Sequence, residues 1–202
     1  MLRTETLSFG AIAAMAQAKT LTANELRKVL SNLPVNRYRL RNRLMLLMTH
    51  WAGMRVGEVA ALQVSDVRAA DGTVKTEIQL DAHQTKGKHA RTVFVNDRLR
   101  KEIAAYLKTI PVSDPNRPLF MTQKRSAFTA NVLCQTLNGL YKHVGMNGAT
   151  SHSGRRSFIT TLASKGIGVR VLASLAGHRS ITTTQAYIDV NDAMKRAAVE
   201  LV

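Results

Sequence analysis

Apolar residues recur at helical spacing through most of this chain. Thr22 and Glu25 form a capping-box pair ahead of an apolar series that Pro34 ends, which predicts the first helix. Further segments with helical spacing span residues 39–51, 56–62, 98–110, 129–144, 152–165, 169–176, 182–188 and 192–201. The core stripe expected for the segment 39–51 consists of Leu40, Leu44, Leu47 and Met48. The pattern therefore predicts a mainly α-helical chain.

Three short segments favour β-structure instead. Val64–Arg68 and Thr73–Thr85 flank an Asp71-Gly72 turn signal, and Arg91–Val95 alternates polar and apolar residues as a returning strand. A basic turn, Lys86-Gly87-Lys88, separates the last two strands. We expect a small antiparallel three-stranded β-sheet in a mainly α fold of the α+β class.

Length and composition indicate one domain with a short arm. The chain has 202 residues, of which 1–19 are expected to form an arm and 20–202 the domain. The single cysteine, Cys134, argues against a disulfide framework and a thiolate metal site, and it fits a reducing bacterial cytoplasm. No apolar run approaches the ~20 residues of a membrane span.

The charge balance points to a polyanionic partner. The formal net charge is +16, while the apolar fraction is that of an ordinary folded protein. Nucleic acid is the first candidate for this partner. An anionic membrane surface is the second, although the sequence has no cationic amphipathic helix of the kind that binds membranes.

Six side chains along the chain are together suited to breaking and rejoining a phosphodiester. Two arginines can clamp phosphate oxygens, two histidines can transfer or donate protons, a lysine can protonate a leaving oxygen, and a tyrosine can be a covalent nucleophile. These residues are Arg55, Lys86, His152, Arg155, His178 and Tyr187.

Each of the six also has an ordinary explanation when taken alone. Arg55 can pair with Glu58 one helical turn later, and Tyr187 can pack half-buried against the core. A basic turn around Lys86 is usually solvated. His152 and Arg155 fit a basic helix start capped by Ser151, although the N-terminal N–H groups of a helix also suit a phosphate.

Four short motifs, in this order, resemble those of one protein family. The motifs are Gly53-Met54-Arg55-Val56-Gly57-Glu58, Thr85-Lys86 with Arg91-Thr92-Val93, His152-x-x-Arg155, and Leu175-Ala176-Gly177-His178 followed by Thr183-Thr184 and Tyr187. Over residues 20 to about 190 the chain is similar to the catalytic domain of tyrosine recombinases, the phage-type integrase family. The resemblance implies the catalytic-domain fold of that family.

The resemblance also implies a site-specific recombinase that cleaves and rejoins DNA through a 3′-phosphotyrosine intermediate, with no metal and no cofactor. Tyr187 is then the nucleophile, His152 the candidate base and Lys86 the acid for the departing 5′ oxygen. Arg55, Arg155 and His178 are implied to bind the phosphate oxygens. The remaining candidates are Glu58, which would orient Arg55, and the DNA-contacting residues Lys88, Arg91, Arg156 and Arg179.

The implied partners are a double-stranded DNA site with inverted repeats and further copies of the chain. We expect a homotetramer on DNA, a monomer or weak dimer when free, and a C-terminal helix over 191–202 that docks on a neighbour or on its own core. An accessory DNA-bending protein is a further candidate partner. Residues 1–19 are too few for the helical core-binding domain of the family, so we expect a naturally short recombinase or a piece of a longer one.

The sequence departs from the family at three positions and leaves rival functions open. Gly154, Arg156 and Asp189 replace a usual leucine and two frequent histidines, none of which is a catalytic group. A type IB topoisomerase would share the same chemistry but relax supercoils without exchanging partners. A DNA-binding regulator with a silent site is the rival of a different class, and the six intact residues argue against it.

Overall fold

A computed structural model describes residues 17–85, 87–188 and 192–200. In these ranges, ten α-helices surround a single two-stranded sheet. The helices are α1 (Ala23–Ser31), α2 (Arg39–Trp51), α3 (Val56–Ala60), α4 (Val64–Val67), α5 (Asp97–Leu107), α6 (Ala130–His143), α7 (Ser153–Ser164), α8 (Val169–Ala176), α9 (Ile181–Gln185) and α10 (Asp192–Val199), and the strands are β1 (Glu77–Leu80) and β2 (Arg91–Phe94). Mainly helical structure with a small antiparallel sheet is therefore confirmed.

The first helix begins as its sequence predicts. The Thr22 side chain accepts a hydrogen bond from the backbone N–H of Glu25, and the Glu25 carboxylate accepts one from the backbone N–H of Thr22 at 2.9 Å. This reciprocal cap satisfies two backbone donors that have no partner within the helix.

Helix α2 is the centre of the core and has the predicted bounds. Every residue from Leu44 to His50 is buried, because α5 and α7 both pack against this helix. The predicted one-sided stripe is wrong at its start, where Leu40 is exposed and Arg41 is buried. Arg41 is tolerated inside because it donates a 2.7 Å hydrogen bond to the carbonyl of Met121.

The sheet has two strands rather than the predicted three. β1 and β2 pair antiparallel, with Ile78 opposite Val93, and the buried apolar side chains alternate as expected. The segment predicted as the third strand forms α4 instead. The Asp66 carboxylate accepts a 2.8 Å hydrogen bond from the Gln63 N–H, which caps a short helical turn that buries Val64 and Val67.

Strand β1 is shorter than the predicted strand over residues 73–85. The strand ends at Leu80, and a 3₁₀ turn over Ala82–Gln84 leads into the hairpin tip. Lys86 lies outside the described residues, whereas Thr85 and Gly87 on either side of it are described.

Two predictions near the C-terminus have different outcomes. Helix α9 ends at Gln185, so Tyr187 lies in the turn that follows rather than on the predicted helix. Helix α10 occupies most of the predicted C-terminal helix, while residues 191, 201 and 202 lie outside the described part. Its exchange between copies therefore stays a prediction. Among the described helices, none combines the length and apolar character required to cross a membrane.

Close packing of α7 on α2 depends on Gly154. A Cβ atom at this position would lie 2.0 Å from the Thr49 hydroxyl oxygen and 2.7 Å from the Thr49 Cβ. These distances are far below contact distance, so the two helices approach closely only because the side chain is absent here. The leucine that the family usually has at this position would not fit between these two helices as they stand.

We predict that Gly154→Ala destabilises the protein by about 1–3 kcal/mol, because the methyl group forces α7 away from α2. The matched control is Gly139→Ala on the exposed side of α6, where no atom lies within 4 Å of the added Cβ. This control should be neutral or stabilise the fold by up to about 1 kcal/mol. Urea unfolding measures both free energies, and equal changes in the two variants would contradict the packing argument.

Candidate active site

Arg55 begins helix α3 and is tied to Glu58 on the same turn. The Glu58 carboxylate accepts hydrogen bonds from the Arg55 backbone N–H at 2.8 Å and from its Nη1 at 2.9 Å. The ordinary pairing expected from the sequence is therefore present. It does not remove Arg55 from the cleft, because the Arg55 side chain remains 29% exposed.

Glu58 bridges two arginines from distant segments. Its side chain is almost wholly buried, and it accepts hydrogen bonds from Nε and Nη2 of Arg91 at 3.1 and 2.7 Å in addition to those from Arg55. Burial acts to raise the pKa of Glu58, but the hydrogen bonds and charge of Arg91 and the hydrogen bonds of Arg55 outweigh it, so the pKa lies below its ordinary value. The carboxylate is therefore ionised at neutral pH.

Three arginines donate to three consecutive carbonyl groups at the C-terminal end of α8. The bonds run from Arg91 Nη1 to Leu175 (2.9 Å), from Arg155 Nη2 to Ala176, and from Arg55 Nη2 to Gly177 (2.7 Å). The last carbonyls of a helix have no intrahelical partner and carry the negative end of its dipole. They are therefore suitable acceptors for guanidinium groups, and they fix the three side chains relative to one another.

Gly177 makes the close approach of the Arg91 side chain possible. It adopts a left-handed conformation with φ of 62°, and a Cβ atom there would lie 2.6 Å from Cδ of Arg91. The left-handed residue ends α8 and turns the chain so that His178 follows directly beside the arginines.

Arg155 is the most deeply buried of the cluster. Its Nη1 donates to the carbonyl of Gly53 at 2.6 Å, in addition to the bond with Ala176. Burial lowers the pKa of Arg155 to about 9, the nearby charges of Arg55 and Arg91 act in the same direction, and Glu58 opposes them. The group remains protonated at neutral pH, in a site where positive charge is concentrated and only partly hydrated.

His178 lies between the arginines and Tyr187. Its Nδ1 is 2.8 Å from the hydroxyl oxygen of Thr184, and its ring stacks on that of Tyr187 with centroids 5.7 Å apart and planes at 20°. Burial and the charges of Arg155, Arg55 and Arg91 lower the pKa of His178 to about 4, so its ring is neutral at pH 7.

Tyr187 is held through its backbone and its ring. Its backbone N–H donates to the carbonyl of Thr184 at 3.0 Å, and its own carbonyl accepts from the Thr160 hydroxyl at 3.2 Å. The guanidinium of Arg156 lies 5.6 Å from the ring centroid. Hydrogen bonds of its backbone thus connect Tyr187, the candidate nucleophile, to both α7 and α9.

His152 is the residue that precedes α7. It occupies the N-cap position, in place of the Ser151 cap that the ordinary explanation assumed, and its side chain is exposed. The Ser151 N–H instead donates to the side chain of Asn138 at 2.7 Å.

Five of the six predicted catalytic side chains line one cleft of about 690 Å³. They are Arg55, His152, Arg155, His178 and Tyr187. A neighbouring cleft of about 630 Å³ shares Arg55 and His178 and is lined by Thr85 and Gly87. The position of Lys86 lies outside the described residues, but the residues on both sides of it border this second cleft.

The residues predicted to contact DNA differ in their surroundings. Lys88 and Arg179 are exposed, and Arg179 lines the second cleft. Arg156 is half-buried and donates to the Thr20 hydroxyl at 3.2 Å. Arg91 is 10% exposed, and all three of its guanidinium nitrogens are hydrogen-bonded within the protein. Arg91 therefore has a structural role in the cluster, and its predicted contact with the DNA backbone stays a prediction.

Sequence reasoning missed two contributions to this site. Thr184 was quoted only as part of a motif, although it is fully buried against the His178 ring. The sequence predicts only a DNA contact for Arg91, whereas in the structure Arg91 joins Glu58 to the end of α8. A basic residue at the start of a strand gives no local signal of burial, because its partners come from distant parts of the chain.

Comparison with known proteins places this chain in a family. The family model described as the phage integrase family matches residues 19–194. Tyrosine recombinase XerA of Pyrococcus horikoshii is 31% identical over 185 residues, which are 90% of this chain and 60% of the relative. Tyrosine recombinase XerC of Rhodospirillum centenum is 31% identical over 154 residues, which are 75% of this chain and 43% of the relative.

Solved structures share the fold. The crystal structure of XerA recombinase superposes with a TM-score of 0.71 at 23% identity, over 91% of this chain and 64% of that chain. The Tn1549 transposon integrase in complex with a circular intermediate DNA has a TM-score of 0.71 at 18% identity, over 94% of this chain and 67% of that chain. XerH site-specific recombinase, bound to a palindromic difH substrate, has a TM-score of 0.69 at 24% identity and is matched over 51% of its length.

The matches cover most of this chain but only part of its relatives. The chain spans about three fifths of the length of XerA, the curated relative matched above. The family model, in contrast, covers nearly the whole of this chain, including all four motifs. The chain therefore belongs to the phage integrase family.

Proposed function

We propose that this chain is a site-specific DNA recombinase that cleaves and rejoins strands through a 3′-phosphotyrosine intermediate. The observation that carries the proposal is the single cleft lined by Arg55, Arg155, His152, His178 and Tyr187. Two arginines, two imidazoles and a phenol in one cleft suit a phosphodiester better than any other common substrate. The relatives named as tyrosine recombinases support the same activity.

Double-stranded DNA is the proposed substrate. The net charge of +16 favours a polyanion, and two structural neighbours were solved with DNA substrates. We further propose that four copies assemble on a DNA site with inverted repeats, because exchange of two duplexes needs four cleavages. An accessory DNA-bending protein and docking of α10 on a neighbour belong to this same proposal.

Catalysis in this cleft would begin with the phenol of Tyr187. Its oxygen attacks the scissile phosphorus while His152 accepts the phenolic proton, and the bond from phosphorus to the 5′ oxygen breaks. Lys86 supplies a proton to that departing oxygen. A 5′ hydroxyl from another strand then attacks the phosphotyrosine and gives its proton to Lys86, while His152 returns its proton to the departing oxygen of Tyr187, so the reaction conserves the bond energy.

The arginines would stabilise the charge that develops on phosphorus. Arg55 and Arg155 provide preorganised donors near Tyr187, and the carbonyls of α8 together with Glu58 hold them in place before substrate arrives. Donors that need no reorganisation at the moment of reaction stabilise a transition state more than flexible donors do.

We predict that Tyr187→Phe binds DNA but forms no covalent adduct, because it lacks the attacking oxygen. Nicked duplexes drawn from the DNA that flanks the gene trap the adduct, since the short leaving strand diffuses away. Denaturing gels detect the adduct, and band-shift titrations measure binding. Phenylalanine keeps the aromatic ring and its stacking on His178, so we expect this variant to fold like the wild type.

Three other outcomes would indicate a different function or a different nucleophile. Tight binding of wild-type protein without an adduct favours a regulator with a silent site. Relaxation of any supercoiled plasmid without strand exchange favours a type IB topoisomerase. An adduct that persists in Tyr187→Phe would assign the nucleophile to another residue.

We predict that Arg55→Ala lowers the rate of adduct formation about 10²–10³-fold, which is typical for the loss of one transition-state donor. Binding should weaken much less, because many other basic residues contact the phosphates. Arg98→Ala on the exposed side of α5 removes the same charge and should leave the cleavage rate unchanged. Equal losses of binding and cleavage in Arg55→Ala would argue against a transition-state role.

We predict that Arg91→Lys reduces cleavage about tenfold or more while the salt dependence of DNA binding stays unchanged. Lysine keeps the charge but has one nitrogen, so it cannot bond both Glu58 and Leu175 in the manner of a guanidinium. Single-turnover cleavage and the slope of log K against log salt measure the two effects. A cleavage rate equal to that of the wild type would contradict this bridging role of Arg91.

A further inference from the structure

The side chain of Thr184 contacts the Nδ1 edge of the His178 ring. Its hydroxyl oxygen lies 2.8 Å from Nδ1, and Thr184 is fully buried on α9. This helix is capped by Ser180, whose side chain accepts from the Thr182 N–H at 3.2 Å. Thr184 therefore occupies a fixed position beneath the imidazole.

The proton of the Thr184 hydroxyl determines which ring nitrogen is protonated. Within the described ranges, Nδ1 of His178 is the only hydrogen-bond partner of this hydroxyl. If Nδ1 carried a proton, the hydroxyl would accept it and would have to leave its own proton buried without an acceptor, which is costly. If the hydroxyl donates to the lone pair of Nδ1, both groups are satisfied.

A neutral His178 ring carries one N–H proton, and with Nδ1 unprotonated this proton must lie on Nε2. The guanidinium groups of Arg155, Arg55 and Arg91 and the ring of Tyr187 surround His178, and burial and those charges keep the pKa of the imidazole low. A neutral imidazole with an unprotonated Nδ1 carries its proton on Nε2. No residue of the described part accepts a hydrogen bond from Nε2, and the ring lines the cleft.

We propose that Thr184 is a positioning residue that fixes His178 as the Nε2–H tautomer, so that His178 donates a neutral hydrogen bond to an oxygen of the scissile phosphate. The second half of this statement rests on the proposed function. A neutral donor can approach an anionic oxygen without adding another positive charge to a site that already holds three arginines. In the opposite tautomer, the lone pair of Nε2 would face the phosphate and repel it.

Thr184 also links this tautomer to the nucleophile. Its backbone carbonyl accepts the 3.0 Å hydrogen bond from the Tyr187 N–H, while its side chain orients His178. One buried residue thus sets both the ring that would hold the phosphate and the start of the turn that presents the phenol.

The tautomer can be tested without any activity measurement. Nitrogen-15 NMR of imidazole-labelled free protein distinguishes protonated from unprotonated ring nitrogens, and His178→Asn identifies the His178 signals by their loss. We expect an unprotonated Nδ1 and a protonated Nε2 in the wild type and in Thr184→Ser. In Thr184→Val, which keeps the shape but removes the hydroxyl, we expect a mixture of tautomers.

Three spectra would overturn the proposal. These are a wild type with the proton on Nδ1, a wild type with mixed tautomers, and a Thr184→Val spectrum identical to that of the wild type. If Thr184→Val does not fold, the wild-type spectrum still decides, because the first two outcomes need no variant.

Kinetics test the link to the phosphate. We expect Thr184→Val to slow adduct formation about tenfold with unchanged DNA affinity, and Thr184→Ser to restore the rate. In a His178→Ala background, Thr184→Val should have no further effect, because its influence passes through the imidazole. An undiminished effect in that background would show a merely structural role and overturn this link. If the wild type forms no adduct at all, the proposed function fails while the NMR result on the tautomer stands.

Discussion

The site depends on the attraction between the C-terminal carbonyls of α8 and three guanidinium groups. Arginines brought this close together would repel one another, and burial of Arg155 makes that repulsion stronger. The negative end of the helix dipole and the ionised Glu58 offset the repulsion. The cluster can therefore exist before any anion is bound, and an incoming phosphate would meet donors that are already oriented.

The three arginines bind the same helix end but differ in access to solvent. The Arg55 side chain is 29% exposed, whereas that of Arg91 is 10% exposed and uses all of its guanidinium nitrogens within the protein. One arginine of the cluster is thus available to a ligand in the cleft, and another mainly holds the carboxylate and the helix end together. Because Arg91 lies on β2, its bonds connect this strand to Glu58 and, through Glu58, to Arg55.

Much of the fold and of the cleft follows from local sequence. The capping box at Thr22, the bounds of α2 and the turn before α3 were predicted because each rests on neighbouring residues. The errors have a common cause. The segment Val64–Val67 has strand-forming residues, but the Asp66 cap and burial of both valines favour a helical turn. Leu40 fits an apolar stripe, yet no element among the described residues covers it, and Arg41 is buried because the chain around Met121 covers it instead.

The sequence alone determined which chemical groups the protein has, their order, and the local turns and helix starts on which they lie. The motifs contain that information because a cap or a turn is decided by residues a few positions apart. Only the tertiary structure decided which groups meet. Arg55 and Gly177 are 122 residues apart, and Arg91 and Leu175 are 84 residues apart. Such pairs form when packing brings a helix end to an arginine, and no short-range pattern in the chain encodes that meeting.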